Sequence, residues 1–322
     1  MEQFWNFLER LDPSLIYRRD ERGDSRLGEV VETRREKFGE NFDAVILGFP
    51  YDDGTVRNKG RAGSASGPDE IRRALYKLTP TKSSPLSDIG PRIFDAGNIV
   101  RGLKLEEALT KLEAAVGWLL RHGYTPIVLG GSNDLSYADF RACDAVRGRC
   151  GAVNVDSHLD VRDFTNGITS GSPYRMLIDQ KTLRGTDFSE YGTQEFVNSR
   201  EHLTYVREAK VNVFTLSQIR SQRNSAAFLE AYRSVSRDTA SVYVSLDIDS
   251  VRACDAPGVS AATPTGLTAE EFLECAYLAG SEAKTAMLDI CEFNPAFDVD
   301  GHTAKLAAMG VANFLAGIFN RY

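Results

Sequence analysis

Short runs of apolar, often β-branched residues alternate along this chain with longer stretches in which apolar positions recur every three or four residues. The first pattern predicts buried strands and the second predicts helices with one apolar face. Strands are predicted at 43–48 (DAVILG), near 92–97 (RIFDAG), at 126–129, 152–155, 202–206, 211–216, 242–246 and about 285–290. A helix should begin at Pro68, with Asp69 and Glu70 in its first turn against the positive end of the dipole. Leu105, Leu109, Leu112, Val116 and Leu119 mark a helix over 103–122, and Gly123 suits its C-cap. Further helices are expected from about Asp134, over roughly 217–233, from Thr268 with Glu270 and Glu271 early in it, and from about 302. Residues 1–42 are charged and mixed, and read as a helical or extended N-terminal arm.

Strands joined mostly by helices predict a right-handed, mostly parallel sheet covered on both faces. No repeat, low-complexity tract or linker interrupts the pattern, so residues 1–322 are expected to form a single α/β domain. The composition adds exclusions. A net charge of −7 argues against a nucleic-acid partner. No apolar run approaches the ~18 residues a membrane span needs. The first residues carry no apolar signal-like core, and a soluble, cytoplasmic protein is expected. The five cysteines are odd in number and lack C-x-x-C spacing, which disfavours a disulfide framework or a zinc–thiolate site. Cys254 lies in the loop after Asp249 and is expected to be an unreactive loop thiol, with exposure near the site and oxidation as the alternative.

The chemistry is concentrated after the predicted strands. Residues 241–249 (SVYVSLDID) end in Asp247 and Asp249, and residues 151–160 (GAVNVDSHLD) end in Asp156, His158 and Asp160. Alternation along a strand puts i and i+2 on one face. Carboxylates gathered that way repel unless a proton or cation lies between them. Aspartates with one imidazole suit manganese or another hard-to-borderline divalent ion, with room for one or two. Asp53, Asn133 and Glu292 also follow strands, on the side where α/β sheets bind ligands. The glycine-rich loop after 43–48 adds Arg57, Asn58 and Arg61.

From about residue 43 to the C-terminus these motifs resemble the ureohydrolase superfamily of arginases, agmatinases and formimidoylglutamases. The resemblance rests on Asp156-Ser157-His158-Leu159-Asp160, on Ser245-Leu246-Asp247-Ile248-Asp249 followed by Ala256-Pro257-Gly258, and on Asp289-Ile290-Cys291-Glu292. Residues 57–63 (RNKGRAG), Val161-Arg162 and 170–175 (SGSPYR) look most like the formimidoylglutamase branch. The resemblance implies a three-layer α/β/α sandwich around an eight-stranded parallel sheet, two Mn2+ per subunit, and a trimer or hexamer. The implied reaction is hydrolysis of N-formimidoyl-L-glutamate to L-glutamate and formamide, a step of histidine degradation, through hydroxide formed between the metals. A guanidino substrate, or a metal-poor non-catalytic relative, stays open at this point.

The resemblance also implies residue roles. Asp156 and Asp247 bridge the metals, Asp160 and Asn133 serve one, and His158 and Asp249 serve the other. Glu292 pairs with the cationic amidinium, and Arg175 takes a substrate carboxylate, with Arg57, Asn58 and Arg61 as further substrate contacts. Asn133 is a departure, because the family has histidine after its glycine pair. An amide nitrogen coordinates poorly, so one metal should bind more weakly there.

Overall fold

The computed structural model describes residues 2–39, 42–80 and 92–321. Among the described residues nine strands pair into one sheet: β1 (Leu8–Glu9), β2 (Ala44–Phe49), β3 (Ile93–Ile99), β4 (Thr125–Gly130), β5 (Cys150–Val155), β6 (Phe188–Thr193), β7 (Asn212–Thr215), β8 (Ser241–Asp247) and β9 (Thr285–Cys291). Their order is β1-β3-β2-β4-β9-β8-β5-β6-β7. Eight of them run parallel, and β1 adds a two-residue antiparallel edge against β3. The expected eight-stranded parallel sheet is therefore present, with one short strand more.

Alternate side chains divide the apolar residues between two layers. Ile46, Val153, Val155, Val244 and Leu246 pack with helices Ala269–Ser281 and His302–Phe319. Val45, Leu47, Ala152, Tyr243 and Met287 pack with helices Leu105–Arg121 and Leu135–Arg147 on the other face. That is a three-layer α/β/α sandwich, and it explains why the central strands read as continuous apolar runs. Helix Ala269–Ser281 is closed by the expected box between Thr268 and Glu271. Helix Gly67–Leu75 has Pro68 in its first turn, and its Arg72 is fully buried. Arg72 donates to both Asp95 oxygens, at 2.7 and 3.0 Å, which fixes this helix to β3.

Three features differ from the expectations. Residues 202–206 are not a strand; they lie in helix Arg200–Glu208, whose first turn is capped by the Ser199 hydroxyl accepting from the His202 N–H. The strand between β5 and β7 is β6 instead, hidden in the sequence by Ser189, Glu190 and Gly192. The single helix at 217–233 is two, Leu216–Arg220 and Asn224–Ser236. The N-terminal arm is part of the packing: Phe4 stacks on Phe38 and Trp118, and Leu8, Leu15 and Leu27 are buried.

Candidate metal centre

Four neighbouring strands, β4-β9-β8-β5, end side by side and carry all the expected ligand positions at or just beyond their carboxyl ends. From Asn133 to Glu292 these positions span 159 residues of sequence, and the parallel pairing closes that distance. Asp247 pairs with Cys291 and Leu246 with Val155, so the chains leave the sheet at one level.

The strand alternation expected to align the ligands is not what aligns them. β5 and β8 each end in a turn in which the first aspartate accepts from the N–H two residues on. Asp156 Oδ1 accepts from His158 N at 2.7 Å, and Asp247 Oδ1 accepts from Asp249 N at 2.9 Å. The side chain of each aspartate stabilises the bend that aims its neighbour inward. Asp160 has a left-handed φ of 43° and Glu292 one of 61°. Such backbone is costly for non-glycine residues and is held here by the surrounding contacts.

The donor atoms converge. His158 Nδ1 lies 3.3 Å from Asp156 Oδ1 and 3.3 Å from Asp249 Oδ1. Donor atoms of Asp156, His158 and Asp249 lie within 4.8 Å of one another, and so do those of Asp156, Asp160 and Asp247. Asp156 belongs to both groups. Burial, and then the neighbouring carboxylates, push Asp156, Asp160 and Asp247 above the usual carboxylate range. Burial works against a charged His158, but Asp249 and Asp156 outweigh it and raise its pKa. Asp249 Oδ1 is buried and accepts no hydrogen bond. A cluster of like charges, with an unsatisfied oxygen and an imidazole nitrogen facing it, fits a pair of hard divalent cations.

Asn133 stands beside this cluster. Its Nδ2 donates to Asp160 Oδ2 at 2.6 Å, and its Oδ1 accepts from Ser136. A ligand role would need the amide turned over, with Oδ1 toward the site. Gly131, two residues before it, leaves no room for a side chain: a Cβ there would lie 2.0 Å from the Tyr51 carbonyl oxygen. Glu292 accepts from the Asn133 N–H at 2.9 Å and from Thr55 Oγ1 at 3.0 Å. Burial, and then Asp249, raise its pKa. Below the ligands, Ser245 donates to Asp289 at 2.7 Å, and Tyr243 also donates to Asp289. Asn154 donates to Glu190 at 3.0 Å on the same level. The serine of the S-x-D-x-D motif thus braces the sheet under the site.

The site opens into a cavity of about 290 Å³, lined by His158, Asp160, Asp247, Asp249 and Glu292, and also by Thr55, Asn58, Lys59, Arg162 and His202. Of the four expected substrate contacts, only Asn58 lines it, and Asn58 donates to Ser170 at 3.1 Å. The other three are engaged elsewhere. Arg175 pairs with Asp179 at 2.8 Å, one helical turn on, and lies over Tyr205. Arg57 pairs with Glu106 at 2.6 Å. Arg61 donates to the carbonyls of Ser260 and Val259 and lies over Phe297. Asp53 opens a short helix and is exposed. Cys254 is exposed but does not line the cavity, and the thiols of Cys143, Cys150, Cys275 and Cys291 are buried. Sequence reasoning missed Thr55, Lys59, Arg162 and His202. For His202 a signal existed, since Ser199 followed by Glu201 is a helix start.

Fold and site together define a three-layer α/β protein with a carboxylate and histidine centre at the carboxyl edge of its sheet. Residues 42–317 match the model of the arginase family, and the chain belongs to that family. It is 32% identical over 269 residues to formimidoylglutamase of Geobacillus thermodenitrificans, covering 82% of this chain and 81% of the relative. A crystal structure of Trypanosoma cruzi formiminoglutamase with Mn2+ superposes with a TM-score of 0.85 at 34% identity, covering 93% of this chain and all of that one. An asparagine-to-histidine variant of the T. cruzi enzyme, also with Mn2+, gives the same TM-score and identity over 93% of this chain and 99% of that one.

Proposed function

We propose that this chain is a manganese-dependent hydrolase of a linear amidine, converting N-formimidoyl-L-glutamate and water to L-glutamate and formamide. The observation that carries the proposal is the double membership of Asp156, which joins the His158–Asp249 group to the Asp160–Asp247 group. A shared carboxylate between two donor sets is what a two-metal site requires. Asp156, His158 and Asp249 would hold one Mn2+; Asp156, Asp160 and Asp247 would hold the other, with Asn133 beside Asp160. Bound there, the pair supplies a water acidified to near neutral pH and positive charge for the developing anion.

The protein's own side chains supply the rest. Glu292, fixed by Thr55 and the Asn133 N–H, offers a carboxylate to the amidinium nitrogen. The substrate cation draws the raised pKa of Glu292 back down, so the pair forms on binding. Water, the attacked carbon and Glu292 are held in one walled cavity, which limits their relative motion. The chain is read as a cytoplasmic enzyme of histidine degradation that works as a trimer or hexamer. Formamide release from formimidoylglutamate, with and without added Mn2+, tests the reading. Mn2+-dependent formamide supports it. Urea from a guanidino compound, with no formamide, replaces it with an agmatinase- or arginase-like activity.

A further inference from the structure

We propose that Arg162, which lines this cavity together with His202 and Lys59, forms its anion-binding pole and takes the substrate's carboxylate. This inference rests on the amidine-hydrolase reading and assigns the side chain that selects amidines with an anionic tail. The side chain expected for that role, Arg175, is paired with Asp179 and does not line the cavity. Arg57 and Arg61 are likewise satisfied by Glu106 and by backbone carbonyls. Arg162 and Lys59 both line the cavity, and neither side chain has an acidic or hydrogen-bonding partner among the described residues. An unpaired guanidinium facing a polar cavity is free to meet a ligand anion, and its planar fork matches a carboxylate.

Position and support favour Arg162 over Lys59. Arg162 is two residues after Asp160, so its backbone is within about 7 Å of that carboxylate's own backbone. Its N–H donates to the Gly171 carbonyl at 2.7 Å. A Cβ on Gly171 would lie 2.6 Å from Arg162 Cδ and 3.0 Å from Asn58 Nδ2, so the arginine stem rests on a glycine cleared for it, with Asn58 alongside. His202 adds a ring from the first turn of helix Arg200–Glu208, whose positive end also faces an anion favourably. His202 and Arg162 line the same cavity, and burial, then Arg162, depress the pKa of His202, so the imidazole is a neutral hydrogen-bonding neighbour and the positive charge is that of Arg162 and Lys59. The cavity therefore has an acidic floor, which takes cations, and a basic wall, which takes a carboxylate. A guanidino amine without a carboxylate fits the floor and leaves the wall unmatched.

The test uses the full-length Mn2+-loaded protein, with Arg162→Ala and Arg162→Lys checked for unchanged Mn2+ content and melting temperature. Calorimetric binding of glutarate, a dicarboxylate without the reacting group, should weaken about 10- to 100-fold in Arg162→Ala and less in Arg162→Lys, as loss of a charge-assisted hydrogen bond predicts. KM for formimidoylglutamate should rise by a similar factor with kcat little changed, while an N-alkyl formamidine without a carboxylate is hydrolysed equally by both proteins. Glutarate that fails to bind the unaltered protein, or binds Arg162→Ala equally well, overturns the assignment, and formamide release can persist regardless. Glutarate binding that depends on Arg162 in a protein unable to hydrolyse any amidine would keep the anion pole and discard the amidine-hydrolase reading.

Discussion

Replacing Asp247 by asparagine should move stability in opposite directions with and without metal. Asp247 is buried, and burial together with Asp249, Asp156, Glu292 and Asp160 disfavours its charge. Asparagine keeps an oxygen for the Asp249 N–H, now accepted at 2.9 Å, and removes one negative charge from the cluster. Each pKa unit of relieved repulsion is worth about 1.4 kcal/mol, so relief on the order of 1–3 kcal/mol is expected in the metal-free protein at pH 8. At about 2 °C per kcal/mol, its melting temperature should rise roughly 2–6 °C. With Mn2+ at about 100 times its dissociation constant, each site adds about 2.7 kcal/mol to the unaltered protein. The variant should lose most of that gain, because an amide is a poor replacement for a bridging carboxylate. Differential scanning fluorimetry in EDTA and in Mn2+ reads both effects, and the two melting curves should change order. A variant that is less stable in EDTA, or that keeps the full Mn2+ shift, would refute the reasoning.

Further outcomes follow from the same contacts. Asn133→His should tighten the weaker Mn2+ site, read as slower metal loss on dialysis; unchanged retention would remove residue 133 from the ligand set. The raised pKa values of Asp156, Asp160 and Asp247 mean that the unfolded chain releases its protons first as pH rises. Stability of the metal-free protein should therefore fall from about pH 4 upward through the folded-state values, while Mn2+ affinity climbs over the same range. Melting temperatures in EDTA that rise with pH across that window would contradict this. Arg72→Met breaks a buried pair with Asp95 and should cost about 3–5 kcal/mol in urea unfolding without changing Mn2+ content in the folded protein. Arg175→Ala should leave KM for formimidoylglutamate unchanged, since its guanidinium is held by Asp179.

The ligands were legible because they are local. D-S-H-L-D and S-L-D-I-D each pack their donors into five residues after a run that can only be a buried strand. The meeting of Asp156 with Asp247 was not legible from local pattern, because it depends on β5 and β8 pairing across a long separation. Resemblance supplied that link. The basic residues were read less well. Arg175 and Asp179 are one helical turn apart, a pairing visible only once 173–179 is known to be helical. Arg57 finds Glu106 across 49 residues, which no spacing rule reports. His202 was lost with the mistaken strand at 202–206, where Leu203 and Val206 supply a helical rather than an alternating apolar face. β6 was missed because its polar residues, Ser189 and Glu190, are buried in the protein, where Ser189 meets Ser234 and Glu190 Oε2 accepts from Asn154.

The most direct measurement is the manganese bound per chain after equilibrium dialysis against Mn2+, together with its low-temperature electron paramagnetic resonance spectrum. The arrangement of Asp156 between two donor groups predicts two Mn2+ per chain and a spin-coupled signal, both lost in Asp247→Asn. No bound Mn2+, or a single uncoupled ion indifferent to Asp247, would contradict a two-cation centre in this fold.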